Sequence, residues 1–212
     1  MSELEALTEA VMKGDIKAAA AETQSALKSG INAQDILDKG LIAAMDEVGE
    51  RFSKRLIFVP QMLRSAKAMK ECTKLLKPYF KEGDVTSKGK VLIGTVKGDL
   101  HDIGKNLVSM MMEGSGFTIT DLGVDVSPEK FAQKAQEVKP DIVAMSALLS
   151  TTMPAMPQTI EALQKAGIRD KVKVMIGGAP VTEKYAQKIS ADSYASDAGS
   201  AVSKAKKLLG IS

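Results

Sequence analysis

Strand-like and helix-like segments alternate through the second part of the chain, and this alternation limits the possible folds more than any other feature. Short apolar runs predict strands at residues 91–96, 118–121, 142–145, 172–176 and 193–194. Amphipathic segments predict helices at residues 104–114, 128–138, 154–166, 183–189 and 198–209. Because strands joined through a helix pair in parallel, the sequence predicts an α/β domain with a five-stranded parallel sheet and helices on both faces.

Helical periodicity without strand signals fills the chain before about residue 80. Leu4, Leu7 and Val11, for example, are spaced to form one apolar helix face. Four helices are predicted in this order: near the N-terminus, at residues 15–28, from residue 32 or 33, and from near residue 60. Four antiparallel helices with short connections form a bundle.

The two patterns divide the chain into an N-terminal helical domain, residues 1–83, and a sheet domain, residues 90–212. Residues 84–89 are predicted to be the linker between them, because the segment 81–90 is polar and punctuated by glycine.

Unusual loops follow four of the predicted strands. They contain Asp99, His101 and Gly104 after the first strand, residues 146–152 after the third, Gly177 and Gly178 after the fourth, and Asp197 and Ala198 after the fifth. The carboxyl ends of parallel strands share one edge of the sheet, and doubly wound folds bind ligands at that edge. We therefore expect a binding site there.

Charge and hydropathy exclude several kinds of partner. The net charge is only +3, and acidic and basic residues are interspersed, which argues against a nucleic-acid or membrane-binding surface. No apolar stretch is long enough to span a bilayer, and the polar, acidic N-terminus is unlike a signal peptide. We expect a cytoplasmic protein that binds neither nucleic acid nor membrane.

The chain contains one histidine, His101, and one cysteine, Cys72. A lone cysteine excludes an internal disulfide and any multi-cysteine metal site, and these two residues together make a zinc site improbable. A metal bound by His101 would have to bring most of its other ligands with it, as a metal in a macrocycle does.

The pattern Asp-x-His-x-x-Gly, then Ser-x-Leu, then Gly-Gly resembles the cobalamin-binding module. That module is shared by methionine synthase, the adenosylcobalamin mutases and the corrinoid proteins of methyltransferase systems. The residues that carry the pattern here are Asp99, His101, Gly104, Ser146, Leu148, Gly177 and Gly178. The helical domain resembles the cap of methionine synthase and of the methyltransferase corrinoid proteins, through residues 48–52 and 58–63. In these relatives the cap precedes a sheet domain of the flavodoxin/Rossmann type, and the resemblance implies the same fold for residues 90–212.

The resemblance implies a role for each motif residue. His101 would be the lower axial ligand of cobalt, with the dimethylbenzimidazole of cobalamin displaced, and Asp99 would accept the other ring N–H. The hydroxyl of Thr152, where the family usually has Ser, would complete this relay. The displaced nucleotide tail would be bound by Gly104, Ser146, Leu148, Gly177, Gly178, Asp197 and Ala198. Phe52 and Val59 would cover the upper face of the cofactor and keep it dry.

The small size of the chain favours a methyl carrier over a complete enzyme, since it has no barrel to bind a substrate. By resemblance, a donor-specific methyltransferase would load the methyl group onto Co(I) from a methylamine, betaine, methanol or a methoxylated aromatic. A second methyltransferase would pass it from methyl-Co(III) to tetrahydrofolate or a thiol, and a reductive activating protein is a further expected partner. Because one cobalt face must meet two enzymes, the cap would swing aside about residues 81–90.

Two cobalamin-binding alternatives and one ligand-free alternative remain open. A subunit of an adenosylcobalamin isomerase would share the sheet but lack the helical cap. A cobalamin-dependent sensor or regulator would add a DNA-binding helix-turn-helix, for which the sequence has no basic recognition helix. A ligand-free flavodoxin-like signalling module of the receiver type would need clustered acids after the first strand, where the sequence has Val96, Lys97 and Gly98.

Overall fold

The computed structural model of the protein describes residues 2–80 and 87–211. Most of the predicted hinge, residues 81–90, and part of the predicted linker, residues 84–89, therefore lie outside the described residues. The chain divides into two compact units. One comprises Met1–Ser87 with Gly114–Gly116, and the other comprises Lys88–Glu113 with Phe117–Ser212.

The first unit is helical, as predicted. Its helices are α1 (Glu3–Lys13), α2 (Ile16–Lys28), α3 (residues 33–53) and α4 (Val59–Leu76), followed by a short 3₁₀ turn at Lys77–Tyr79. Polar side chains cap three of the helix starts, because the first N–H groups of a helix lack partners within it. The capping residues are Ser2, Asp15 and Asn32, and Ser2 forms a capping box with Glu5.

Helix α3 contains a π-helical segment, Ile36–Ile42, between the α-helical segments Ala33–Asp35 and Ala43–Ser53. The backbone N–H of Ala43 donates to the carbonyl of Asp38, five residues earlier, which is the π-helical pattern. Gly40 lies in this segment against α1, where a Cβ would come within 2.9 Å of Leu7 Cδ2. The helix was predicted, but its π-helical segment was not.

The second unit contains a parallel five-stranded sheet, which confirms the predicted fold class. The strands are β1 (Lys90–Thr95), β2 (Thr118–Asp121), β3 (Ile142–Ser146), β4 (Lys173–Gly177) and β5 (Ser193–Ala195), in the order β2-β1-β3-β4-β5. The helices are α5 (Ile103–Gly114), α6 (Pro128–Val138), α7 (Ala155–Lys165), α8 (Glu183–Lys188) and α9 (Ala198–Leu209). Each predicted strand is present, with ends that differ by one residue at most.

The strand order determines where the predicted ligand-binding crevice of the sheet opens. Strand order reverses between β1 and β3, and the crevice of a doubly wound sheet opens at such a reversal. Thr95 at the end of β1 pairs with Ser146 of β3, which in turn pairs with Gly177 of β4. The loops that follow β1, β3 and β4 therefore start next to one another at the same edge of the sheet. Beneath them the core is apolar, with Leu92, Val143 and Phe131 fully buried.

Within the described residues, no helix combines the length and the apolar composition needed to cross a bilayer.

Candidate functional site

Asp99 is the centre of a hydrogen-bond network at the end of β1. Its side chain has no solvent exposure, although a carboxylate is rarely buried without partners. Oδ1 accepts the backbone N–H of His101 at 3.1 Å, and Oδ2 accepts the N–H groups of Leu148 and Leu149 at 2.8 and 3.3 Å. The loops after β1 and β3 therefore meet at one carboxylate.

Thr152 also contacts this carboxylate. Its hydroxyl oxygen lies 2.7 Å from Oδ2 of Asp99 and 2.9 Å from the carbonyl oxygen of Leu149, and its side chain is almost fully buried. A hydroxyl has a single proton to donate, and its hydrogen bond to a charged carboxylate oxygen is stronger than one to a carbonyl oxygen. The hydroxyl of Thr152 therefore donates to Asp99. The structure thus brings the predicted Asp99 and Thr152 into direct contact.

The imidazole of His101 lies against the same carboxylate, with Nδ1 2.8 Å from Oδ1 of Asp99. Because an ionised carboxylate only accepts hydrogen bonds, Nδ1 carries the hydrogen in this pair. The lone pair of the neutral ring is then on Nε2, which bonds to no residue in the part of the chain that the structure describes. The side chain is half exposed, at 51%.

The charge on Asp99 depends on its hydrogen bonds. Burial raises the pKa of this carboxyl group, but the hydrogen bonds donated by Thr152, by the backbone and ring of His101 and by Leu148 outweigh burial and lower the pKa well below its ordinary value. Asp99 is therefore ionised at neutral pH and remains an acceptor for the ring N–H.

Further residues hold the backbone of this segment, and the sequence did not single them out. The buried Thr95 donates its hydroxyl to the carbonyl of His101 at 2.9 Å. Asp125, in the loop after β2, accepts the backbone N–H of Gly98 at 2.7 Å. Lys105, in the first turn of α5, is buried and pairs with Asp121. The partners of Asp125 and Lys105 lie 27 and 16 residues away, and the partner of Thr95 lies six residues away. No local sequence pattern indicates these bonds.

The predicted glycines differ in their surroundings. A Cβ added to Gly104 would meet nothing within 4 Å. At Gly178, where φ is +128°, a Cβ would lie 1.9 Å from the carbonyl oxygen of Ala147, and at Gly177 it would lie 3.1 Å from that of Ala195. Gly104 therefore opens onto free space, whereas the other two glycines permit close approach of the protein's own backbone.

Ser146 and Leu148 lie at the same edge. Ser146 is the last residue of β3 and is partly buried, and its hydroxyl bonds to no described residue. Leu148 is 44% exposed, and so are Leu149 at 43%, Leu100 at 72% and Ile103 at 77%. The loops around His101 thus present apolar side chains to solvent together with one imidazole.

Asp197 and Ala198 follow β5, the strand farthest from β2 in the sheet. The carboxylate of Asp197 caps α9 by accepting the backbone N–H of Ser200 at 2.8 Å, and Ala198 is buried. In the strand order, β3 and β4 lie between β5 and β1, the strand whose loop contains Asp99.

Phe52 and Val59 belong to the helical unit, at the end of α3 and the start of α4, and both are partly buried. Between them, Leu56 and Phe58 are 68% and 65% exposed. This segment is an apolar surface of the helical unit.

The described residues contain no group of three or more His, Cys, Asp or Glu side chains that could hold a metal ion.

Two B12 binding domain families match the chain, one at residues 89–203 and the other at residues 3–77. The sequence is 44% identical to trimethylamine corrinoid protein 1 of Methanosarcina acetivorans over 203 residues, which cover 95% of this chain and 94% of that protein. It is 46% identical to dimethylamine corrinoid protein 1 of the same organism over 183 residues, which cover 86% of each chain.

A solved structure has the same fold. A chain in the methanol:cobalamin methyltransferase complex from Methanosarcina barkeri matches with a TM-score of 0.86 and 28% sequence identity. The match covers 98% of this chain and 80% of that chain.

Proposed function

Because the chain belongs to the family of corrinoid proteins built on B12 binding domains, we propose that it is a methyl carrier that binds cobalamin through His101. When bound, the corrinoid supplies a cobalt centre that accepts a methyl group from one enzyme and gives it to another. The protein supplies the axial ligand and the surface around it. The single observation that carries the proposal is an imidazole oriented by a buried carboxylate, with its other nitrogen bonded to none of the described residues.

The residues around His101 fit a large, partly apolar macrocycle. Nε2 has no partner among the described residues. Leu100, before His101 in the sequence, and Ile103, after it, both expose apolar side chains. Gly104 leaves open space where any other residue would place a side chain. A macrocycle with its own equatorial nitrogens needs only one protein ligand, which fits a chain with one histidine.

In this proposal Asp99 fixes the tautomer and the orientation of His101. Its carboxylate holds the hydrogen on Nδ1, so Nε2 presents a lone pair to the metal. The hydroxyl of Thr152 and the N–H of Leu148 hold Oδ2, which prevents the carboxylate from rotating away from the ring. We propose that cobalamin binds with its dimethylbenzimidazole displaced and His101 in its place.

The remaining predicted residues have assigned places in the proposal. Ser146 offers its hydroxyl to the displaced nucleotide tail. The other residues proposed to contact the tail are Gly104, Leu148, Gly177, Gly178, Asp197 and Ala198. Phe52 and Val59 cover the upper face of the cofactor and exclude water from it. We also propose the predicted domain limits, with the cap at residues 1–83, the linker at 84–89 and the cobalamin-binding domain at 90–212.

The names of the relatives indicate the methyl donor. Two relatives at 44% and 46% identity are a trimethylamine and a dimethylamine corrinoid protein, and we propose that this carrier is loaded by a methylamine-specific methyltransferase. A second methyltransferase then unloads it, and an activating protein restores the reduced cofactor. The cytoplasmic location belongs to the same proposal, and cell fractionation would test it.

The test of the proposal is reconstitution. The wild-type protein and His101→Ala are incubated with hydroxocobalamin and desalted, and their visible spectra are compared. We expect the wild type to retain about one corrinoid per chain, with a spectrum that changes in His101→Ala because the axial nitrogen is lost. A folded wild-type protein that retained no corrinoid would contradict the proposal.

The methyl donor is tested separately. The reduced, corrinoid-loaded protein is mixed with trimethylamine or dimethylamine, with and without the matching methyltransferase. We expect a spectral change only when the methyltransferase is present, because this chain offers no amine-binding site in the proposal. A change without the enzyme would show that the carrier acts on the amine by itself.

A further inference from the structure

The loop after β2, residues 121–126, contacts the His101 segment from the side opposite the β3 loop, because β2 and β3 flank β1. Asp125 makes two bonds to this segment. Its Oδ1 accepts the backbone N–H of Gly98 at 2.7 Å, and its own backbone N–H donates to the carbonyl of Asp99 at 3.0 Å. The two-residue segment Gly98-Asp99 is thus held at both ends, at the N–H of Gly98 and at the carbonyl of Asp99, by one residue.

The conformation of Asp125 is unusual. Its φ is +51°, a left-handed conformation in which Gly, Asn and Asp are the residues most easily accommodated. Gly98 also has a positive φ, +82°. Two adjacent loops therefore adopt left-handed backbone conformations at the point where Asp125 and Gly98 bond to each other.

The β2 loop also holds the far side of the His101 segment. Asp121, at the end of β2, pairs with the buried ammonium group of Lys105, four residues after His101. Oδ1 of Asp121 accepts the backbone N–H of Gly123 at 2.9 Å, so the loop itself is held in shape. One loop therefore fixes the chain both before and after the histidine.

We propose that Asp125 is a positioning residue for His101, an inference that rests on the proposed function and extends it. The β3 loop holds the carboxylate of Asp99, whereas Asp125 holds the backbone from which that carboxylate projects. Both are needed, because a carboxylate can orient the imidazole only if its own backbone is fixed relative to the backbone of His101. Without the Gly98–Asp125 bond, Asp99 and His101 become free to shift relative to each other, and the ring loses its fixed tautomer.

Two substitutions separate the bond from the backbone conformation. Asp125→Asn keeps an oxygen acceptor and tolerates the left-handed conformation, so it serves as the matched control. Asp125→Gly also tolerates that conformation but has no acceptor. Because both variants permit the observed φ, a difference between them measures the side-chain hydrogen bond, and thermal melts confirm that both are folded.

The first measurement uses the protein without cofactor. His101 is the only histidine, so ¹⁵N NMR of the imidazole in untagged protein reports this ring alone. At a pH where the ring is neutral, we expect wild type and Asp125→Asn to carry the hydrogen on Nδ1 and Asp125→Gly to show a mixture of tautomers. Exchange of the Gly98 amide should become about fivefold faster in Asp125→Gly, the effect of losing one ordinary hydrogen bond.

The second measurement uses the protein with hydroxocobalamin. We expect Asp125→Gly to bind it about tenfold more weakly, at the lower end of the range for residues that support a metal ligand, and to lose part of the His101-dependent spectrum. Asp125→Asn should restore both.

Several results would overturn the inference. Ring signals and binding in Asp125→Gly that match wild type would show that Asp125 does not position His101. An equal loss in Asp125→Asn would show that the acceptor is not what matters. If the wild type itself retained no corrinoid, the proposed function would fail, while the NMR comparison would still decide whether Asp125 sets the position of the ring.

Discussion

The segment around His101 and the segment around Phe52 and Val59 are held by different forces. The carboxylate of Asp99 is fully buried and accepts five hydrogen bonds, and the carbonyl of His101 accepts one from Thr95. Phe52 and Val59 are only partly buried, and the exposed Leu56 and Phe58 lie between them. One segment is positioned by directional bonds within its own unit, and the other is an apolar surface.

This difference indicates which parts of the site are preformed. A hydrogen-bonded carboxylate and imidazole have one low-energy arrangement, since each lost bond leaves a buried polar group without a partner. An apolar surface has no such requirement and can meet different partners. Substitutions should therefore have large effects in the first segment and small effects in the second.

The largest effect is expected for Asp99→Ala. This change leaves the N–H groups of His101, Leu148 and Leu149 without their acceptor, and we expect the free energy of unfolding to fall by about 4 kcal/mol. Urea denaturation followed by circular dichroism measures it. Lys97→Ala, at an exposed position two residues before Asp99, is the control and should change stability by less than about 0.5 kcal/mol. A similar stability for both variants would show that the network contributes little.

Gly178→Ala is expected to rank next. The added Cβ would lie 1.9 Å from the carbonyl of Ala147, and we expect a loss of about 3 kcal/mol from this clash and the strained φ. Gly104→Ala should instead raise stability by about 0.5 kcal/mol, because the position is helical and open. Thermal melts compare the two.

Gly104→Ala also tests where the ligand lies. We expect Gly104→Ala to weaken hydroxocobalamin retention although it folds well, because its methyl group enters the proposed binding space. Full retention by Gly104→Ala would place the cofactor away from this residue.

Thr152→Val should have an intermediate effect. It keeps the shape of the side chain but removes the hydroxyl that donates to Asp99, so we expect a loss of about 2 kcal/mol and a weaker His101-dependent spectrum. Thr152→Ser retains the hydroxyl and should recover most of both. If serine and valine behaved alike, the methyl group and not the hydroxyl would be the important part of Thr152.

The smallest effects are expected in the helical unit. Phe52→Ala and Val59→Ala should each lower stability by about 1 kcal/mol, since the side chains are partly buried. Corrinoid retention should stay the same, whereas air oxidation of the reduced, loaded protein should become faster than in wild type. Phe58→Ala, at an exposed position, is the control. Unchanged oxidation rates in Phe52→Ala and Val59→Ala would argue against their proposed role as a cover.

The sequence predicted the fold well because both units have clear periodicity. Alternating strands and helices led to a parallel sheet, and the recurring apolar positions led to four N-terminal helices. The π-helical segment at Ile36–Ile42 was not predicted, since apolar spacing does not distinguish seven π-helical residues from α-helical ones. The close contact of Gly40 with α1 is a tertiary feature that no local pattern carries.

The site was partly predictable for a related reason. Asp99 and His101 lie two residues apart, so their pairing follows from a short motif. Asp125 joins two separate loops and Thr95 bonds within the connection that follows β1, and nothing in the local sequence marks either contact. Lys105 is a further residue that no local pattern marks, and it is buried with its ammonium group beside Asp121 and Asn106. Lys105 is in helix α5, and its partner Asp121 lies 16 residues away, at the end of β2.

The sharing of Oδ1 of Asp99 by the N–H and the ring of His101 limits how this loop can evolve. One oxygen receives both bonds, so the interval between the two residues cannot gain or lose a residue without separating the pair. Leu100, between them, has a side chain that is 72% exposed, so a change of this side chain leaves both bonds in place. Natural or engineered variants can therefore adjust the exposed surface at position 100 while the geometry of the proposed axial ligand, His101, is inherited unchanged.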